Sequence, residues 1–206
     1  MNIKDKAKKY AEIYHGNQIR KSNGKLMIYH PIAVAELLEY YGYDDEIIAA
    51  GYLHDTIEDT ETTIEKIKKD FGSKVASLVN FSSEPDKSLS WEERKQHTIK
   101  NVINYSHYSI DDIVVILADK IHNIEDLTNE LKIQGFYVFN SFKRGYENML
   151  WYFESIYNAI SHYELPIVKR LGEALTNLKN EIEYQTQLEK RLDTDIAILK
   201  KDINSK

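Results

Sequence analysis

Cysteine is absent from this 206-residue chain, and proline and glycine are scarce, at 3 and 8 residues. The lack of cysteine excludes disulfides, a thiolate nucleophile and Cys-ligated zinc, so any bound metal must sit on histidine and carboxylate. It also fits a reducing compartment. No long apolar run is present: the longest, Ile113-Val114-Val115-Ile116-Leu117-Ala118, falls far short of the ~20 residues of a membrane helix. The opening MNIKDKAKKY has charge but no apolar core and no small-residue cleavage site, so a cytoplasmic location is expected. Positive charge is in deficit, with 27 Lys+Arg against 33 Asp+Glu and a net charge of −6. A general nucleic-acid binder needs a basic face to displace counterions, so that class is disfavoured, while a small anionic ligand met by a local basic cluster is not.

With so few breakers, and apolar residues recurring at three- and four-residue spacing, the chain reads as all-helical. Ile3, Ala7, Tyr10, Ala11 and Tyr14 share one face of a first helix that Gly16 is expected to end in a left-handed cap. A polar loop, residues 20–25, leads to a second helix with Pro31 in its first turn, running to about Tyr41. Gly42 stops it, and a third helix is expected from Glu46 to about Asp59. Thr62-x-x-Glu65 and Ser90-x-x-Glu93 are capping-box patterns that start further helices, separated by a break at Phe71-Gly72, a short helix at 73–80 and a loop at 82–86. Asp111 or Asp112 begins a strongly apolar helix to about Leu131, and a core-forming helix is predicted over 138–161. After Pro166 the chain turns rich in lysine and glutamate, with an apolar seam from Leu171 to Ile203 interrupted at Gln185 and Asp195. That seam suits either packing on its own domain or a coiled-coil contact with a second copy.

The chemistry concentrates in Gly51-Tyr52-Leu53-His54-Asp55-Thr56-Ile57-Glu58-Asp59-Thr60. On a helix His54 and Glu58, and likewise Asp55 and Asp59, are four apart, so four polar groups share one side of an otherwise apolar segment. Carboxylates this close, partly buried and ionised, cost several kcal/mol unless a cation accompanies them. Asp119 follows the most apolar stretch of the chain, and its short side chain cannot snorkel to water. His30 precedes Pro31 at the mouth of a helix. His30, His54, Asp55 and Asp119 would make a His2Asp2 set suited to manganese, iron, zinc or nickel, with magnesium less suited because it prefers oxygen; His122 is a rival ligand on spacing.

The order His30-Pro31, then His54-Asp55-x-x-Glu58-Asp59, then Leu117-Ala118-Asp119-Lys120-Ile121-His122-Asn123 resembles the HD-domain metal-dependent phosphohydrolases, and within them the small alarmone hydrolases of RelA/SpoT type. Arg20-Lys21-Ser22 and Phe71-Gly72-x-x-Val75-x-x-Leu78-Val79 extend the likeness to about residue 160. The resemblance implies an HD-domain helical bundle over 1–165, a helical extension over 166–206, and His30, His54, Asp55 and Asp119 as ligands of a metal, usually manganese(II). It implies that Glu58 and Asp59 are the catalytic pair orienting and deprotonating water, that Arg20, with Lys21 beside it, stacks on the purine, that Asn123 faces the sugar, and that Arg144 and Tyr152 contact phosphate. It demotes His122, which matches a position that is not a ligand.

The implied reaction is removal of the 3′-pyrophosphate from guanosine tetra- or pentaphosphate, giving GDP or GTP, with no room after about residue 165 for a synthetase domain of the usual size. Other readings are an HD phosphohydrolase for another nucleotide or a nicotinamide dinucleotide phosphate, a two-metal phosphodiesterase using His97 and His107, and a metal-stapled protein without catalysis. Two features depart from the family pattern: Lys25-Leu26-Met27 in the loop before His30, and Glu125 where such hydrolases commonly carry arginine. Arg94 and Lys95 are either phosphate contacts or part of a solvated helix face.

Overall fold

A computed structural model describes residues 2–20, 24–84, 88–104, 110–142 and 144–204. It is all-α: α1 (Ile3–His15), α2 (Tyr29–Tyr40), α3 (Asp45–Leu53), α4 (Thr56–Asp59), α5 (Ile64–Phe71), α6 (Ser73–Ser82), α7 (Trp91–Ile103), α8 (Ile110–Gln134), α9 (Gly145–Ile160) and α10 (Pro166–Asn204), with a 3₁₀ segment over Gly135–Ser141. No strand occurs among the described residues, where Ile19 and Leu26 form an isolated bridge.

Two helices organise the bundle. α3 is buried along its length from Ile47 to Leu53 and is packed by α1, α2, α6 and α8. α8 is the other axis, covered by α2, α6 and α10, while α7 and α9 pair with each other. The Ile113–Ala118 run is at most 1% exposed, which explains its lack of amphipathic alternation: neighbours surround that part of α8. The first half of α10 adds Leu171, Leu175 and Leu178 to the same core.

Local signals set most boundaries. Gly42 and Gly72 adopt positive φ where α2 and α5 end, and Ser90 with Glu93 forms the full capping box of α7. Elsewhere the structure corrects the expectation. Gly16 has right-handed backbone angles, and glycine is needed because a Cβ would lie 2.6 Å from the Glu12 carbonyl oxygen. The cap of α5 is Thr63, whose side chain accepts from the Lys66 N–H, because the Thr62 hydroxyl is taken by Thr60 and Tyr10. The stretch predicted as one helix over 138–161 is a 3₁₀ segment followed by α9, with Gly145 at φ +74° between them. After Pro166 the chain forms one helix of 39 residues, α10, which carries Gln185 and Asp195 without a break.

The expected helix 46–59 is broken at His54–Asp55, a feature that shapes the site. The Gly51 carbonyl accepts from the His54 ring Nδ1 at 2.8 Å, and the Leu53 carbonyl accepts from the Thr56 hydroxyl at 2.6 Å. Side-chain donors thus take over carbonyls at the end of α3, a competition that ends helices. The Ser83 hydroxyl donates to the His54 carbonyl at 3.1 Å, tying the turn to α6.

Gly51 lies against α2: a Cβ there would lie 2.7 Å from Leu38 Cδ1 and 3.2 Å from Ala35 Cα. Gly51→Ala is therefore expected to destabilise the protein by about 1–3 kcal/mol through overpacking, despite alanine's better helix propensity. Urea denaturation checks this, and a gain in stability would contradict the close packing.

Candidate metal centre

The α3–α4 break brings His54 and Asp55, adjacent in sequence, to face one point, with His54 Nε2 3.2 Å from Asp55 Oδ1. α2 supplies His30, whose Nε2 lies 3.2 Å from His54 Nε2 and 3.5 Å from Asp55 Oδ2. α8 supplies Asp119, with Oδ1 3.2 Å from His30 Nε2 and 3.9 Å from His54 Nε2. The ligand atoms of His30, His54 and Asp55 all lie within 4.8 Å of one another, and both histidines are buried.

The donor set fits a divalent cation. A carbonyl can only accept, so the Gly51 contact places a proton on His54 Nδ1 and leaves the Nε2 lone pair facing the cluster. His30 Nδ1 is 2.8 Å from His122 Nδ1, and in the tautomer in which His30 donates that hydrogen bond its Nε2 lone pair faces the same point. Two lone pairs and two carboxylates then converge, a set that repels itself without positive charge. His122 sits on the far side of the His30 ring, where burial, His30 and Arg20 push it down to about 3, so it is neutral.

Electrostatics sharpen the set. Burial lowers His30, while for His54 burial is outweighed by Asp55 and Asp119, which raise it. Burial opposes ionisation of Asp55, yet His54 and His30 hold it below the ordinary carboxylate range. Asp119 is buried too, and is held well below that range by Lys120, His30 and His54. Lys120 is buried, pairs with Asp119, and is held well above its ordinary value by that contact despite burial. Sequence reasoning did not single out Lys120; a lysine directly after a buried aspartate in an apolar run was the available signal.

Glu58 lines the same cavity, about 240 Å³, as His30, Asp55 and Asp119. Burial and the neighbouring Asp55 raise it to about 7, and its Oε1 accepts from the Glu84 N–H at 2.8 Å. Asp59 is exposed and opens instead on an adjoining cavity with Gln18, Met27 and Phe142; Gln18 donates to its carbonyl at 2.9 Å. Glu84 was also missed. Its carboxylate takes Arg94 Nη1 at 2.5 Å and Lys95 Nζ, a contact ten residues away that no local pattern announces.

Beyond the metal cluster lies a second cavity of about 260 Å³, sharing Arg20, Lys95, Lys120 and Asn123 with the first. Arg20 donates to Asn123 Oδ1 at 2.8 Å and to Asp126 Oδ2 at 3.0 Å, and Asn123 donates to Asp119 Oδ1 at 2.5 Å. Tyr152 lines this cavity with Lys95 Nζ 4.8 Å and Lys120 Nζ 5.4 Å from its ring centroid. Arg144 lies elsewhere, exposed and paired with Glu92 at 3.2 Å, and lines neither cavity. Lys21 lies outside the described residues. Glu125 faces Arg170 of α10 at 2.6 Å, away from both cavities.

The chain is 40% identical over 121 residues to the guanosine-3′,5′-bis(diphosphate) 3′-pyrophosphohydrolase MESH1 of Danio rerio, a match spanning 57% of this chain and 65% of that enzyme. Matches to longer bacterial relatives cover as little as 14% of their length. A solved protein of Listeria monocytogenes EGD-e superposes with TM-score 0.66 at 34% identity, covering 78% of this chain and 99% of that one. A metazoan ortholog of SpoT, described as hydrolysing ppGpp and playing a role in starvation responses, superposes with TM-score 0.70 at 25% identity, covering 85% and 95%. The HD domain profile matches residues 7–142, a span holding the cluster and the helices α2, α3, α4 and α8 that position it, and the chain belongs to the HD domain family.

Proposed function

We propose that the protein is a manganese(II)-dependent hydrolase that removes the 3′-pyrophosphate of guanosine tetra- or pentaphosphate, giving pyrophosphate and GDP or GTP. The observation that carries this reading is the His2Asp2 cluster at the floor of a cavity whose shared wall, Arg20, Lys95, Lys120 and Asn123, leads into a second, partly aromatic cavity. The activity named for the Danio rerio relative supports the substrate.

His30, His54, Asp55 and Asp119 hold the cation, which when bound supplies Lewis acidity for phosphoryl transfer to water. Glu58, raised to about 7, is near the ideal value for a general base at neutral pH, and it takes the proton of the attacking water. Asp59, which opens on the adjoining cavity with Gln18 and Met27, contacts the substrate from that side. Lys95, Lys120 and the Tyr152 hydroxyl receive the phosphate oxygens, Arg20 covers the purine and Asn123 holds the sugar. No helix among the described residues is long and apolar enough to cross a membrane, and the reaction is assigned to the cytoplasm, in keeping with the absence of cysteine. Residues 1–165 serve as the hydrolase domain and 166–206 as its extension, buttressing α8 up to Ile182. Beyond it, Leu188, Leu192, Ile196 and Leu199 are exposed on α10 and pair with a second copy.

Glu58→Gln is expected to cut pyrophosphate release with manganese by about 10²-fold or more. In metal-stripped protein the same change should stabilise. Folding raises the Glu58 pKa from 4.5 to about 7, so the wild type loses stability as pH rises through that window, whereas glutamine resembles the protonated form. The gain, up to about 3 kcal/mol, should be present above pH 7 and absent below about 4.5, read by urea denaturation. Faster turnover of another nucleotide, with the alarmone untouched, would sink the substrate assignment.

Metal analysis of dialysed protein should find the cation lost in His54→Ala and retained in His122→Ala; the reverse would exchange their roles. Light scattering should give a dimer for the full chain and a monomer for a Leu192→Glu, Ile196→Glu variant. A monomeric wild type would refute the contact.

A further inference from the structure

α4 is a single turn, Thr56–Asp59, and it carries both members of the proposed catalytic pair, Glu58 and Asp59. A helix that short has too few internal hydrogen bonds to set its own direction. Contacts from outside must aim it, and α1 packs against it. Two paths lead there from α1. The Tyr10 hydroxyl lies 3.1 Å from that of Thr62, which lies 2.9 Å from that of Thr60, and the Thr60 hydroxyl donates to the Thr56 carbonyl at 2.6 Å. The other path runs from His15, the last residue of α1, through Gln18 to the Asp59 carbonyl.

Donor and acceptor identities fix the protons along that second path. A carbonyl only accepts, so the 2.9 Å contact with Asp59 is made by the Gln18 amide Nε2. Gln18 Oε1, also an acceptor only, then faces His15 Nδ1 at 2.8 Å, so the His15 ring carries its proton on Nδ1. The Gln18 backbone is held as well: its N–H donates to the His15 carbonyl at 2.9 Å, and its carbonyl accepts from the Met27 N–H at 2.7 Å. The bond to Asp59 is exposed, where an amide left alone trades its partner for water. His15 prevents this, because a flipped amide would set its NH2 against the ring N–H and its oxygen against the Asp59 carbonyl. Packing alone does not account for an imidazole here. His15 is fully buried and its Nε2 has no hydrogen-bond partner in the protein, a cost that an apolar ring avoids.

We infer that His15 and Gln18 are positioning residues that fix the α4 turn, and with it Glu58 and Asp59, against the metal cluster, His15 acting through Gln18. The roles of Glu58 and Asp59 are those of the hydrolase reading above, on which this inference rests, so one arm of its test needs no turnover. In the manganese-loaded full chain, Gln18→Leu and His15→Phe should each lower kcat for guanosine tetraphosphate by about tenfold, with KM within about twofold and manganese content unchanged. His15→Asn, whose Nδ2 donates in place of Nδ1, should recover most of the loss. In the Gln18→Leu background His15→Phe should have no further effect, since both residues act along one path. Hydrogen exchange followed by NMR should show the Thr60 N–H, which donates to the Thr56 carbonyl, exchanging about tenfold faster in Gln18→Leu, with α3 unchanged. Additive losses, equal losses in His15→Asn and His15→Phe, or unchanged kcat or unchanged exchange in Gln18→Leu would overturn it. Should His15→Phe fail to fold, Gln18→Leu, at a half-buried position, still decides. Accelerated exchange without alarmone hydrolysis by the wild type sinks the proposed function and keeps this inference; hydrolysis that neither variant slows does the reverse.

Discussion

Four groups that each want positive charge, the Nε2 lone pairs of His30 and His54 and the carboxylates of Asp55 and Asp119, are forced together within a few ångströms in a place nearly closed to water. Most of the surrounding structure can be read as holding that arrangement against its own repulsion. α3 and α8, the most buried helices, carry three of the four groups, and rigid flanks such as Ile113–Ala118 leave the side chains nowhere to relax. Lys120 supplies one internal counter-charge to Asp119. One carboxylate charge is left over among these groups, which a dication would more than offset.

Net charge is thus a poor guide to the site. The chain is acidic overall, at −6, but the cationic side chains at and beside the cavities are fixed in place by carboxylates: Arg20 by Asp126, Lys25 by Glu130, Arg94 and Lys95 by Glu84. Such pairing lowers the free charge while setting the direction of each cation. Glu84 links the two functions, since its backbone N–H holds Glu58 while its side chain holds Lys95.

What could be read from the sequence was whatever a short stretch encodes by itself. The capping box at Ser90, the stops at Gly42 and Gly72, and the burial of Asp119 behind an apolar run all follow from local chemistry. The His-Asp and Glu-Asp pairs were visible too, but not the break that aims His54 and Asp55 at one point, because periodicity does not show that the His54 ring and the Thr56 hydroxyl bond back to the Gly51 and Leu53 carbonyls. The same holds for Thr62, a good cap by type that is claimed by Tyr10 from 52 residues away. Periodicity also ran past Gly145, since Phe139 and Phe142 keep helical spacing with Tyr146 although the 3₁₀ segment ends at Ser141 and α9 begins only at Gly145. Asp59 illustrates a subtler failure: four residues from Asp55, it should share its side of a regular helix, and it turns to another cavity once the helix is a single short turn.

Glu125 shows how helix geometry settles what residue identity leaves open. Placed two residues after Asn123, a carboxylate in the substrate site would repel phosphate. At 100° per residue, two positions are 200° apart, nearly opposite sides of α8. The structure has Glu125 bonded to Arg170 on α10, while Asn123 faces Arg20 and Asp119. One helix therefore serves two purposes with separate sets of residues: the face at 119, 123, 126 and 130 meets the cavities, and the opposite face grips the buttressing helix. Glu125 accordingly serves to hold α8 against α10, and the charge lining the cavity is left to Lys95, Lys120 and Arg20.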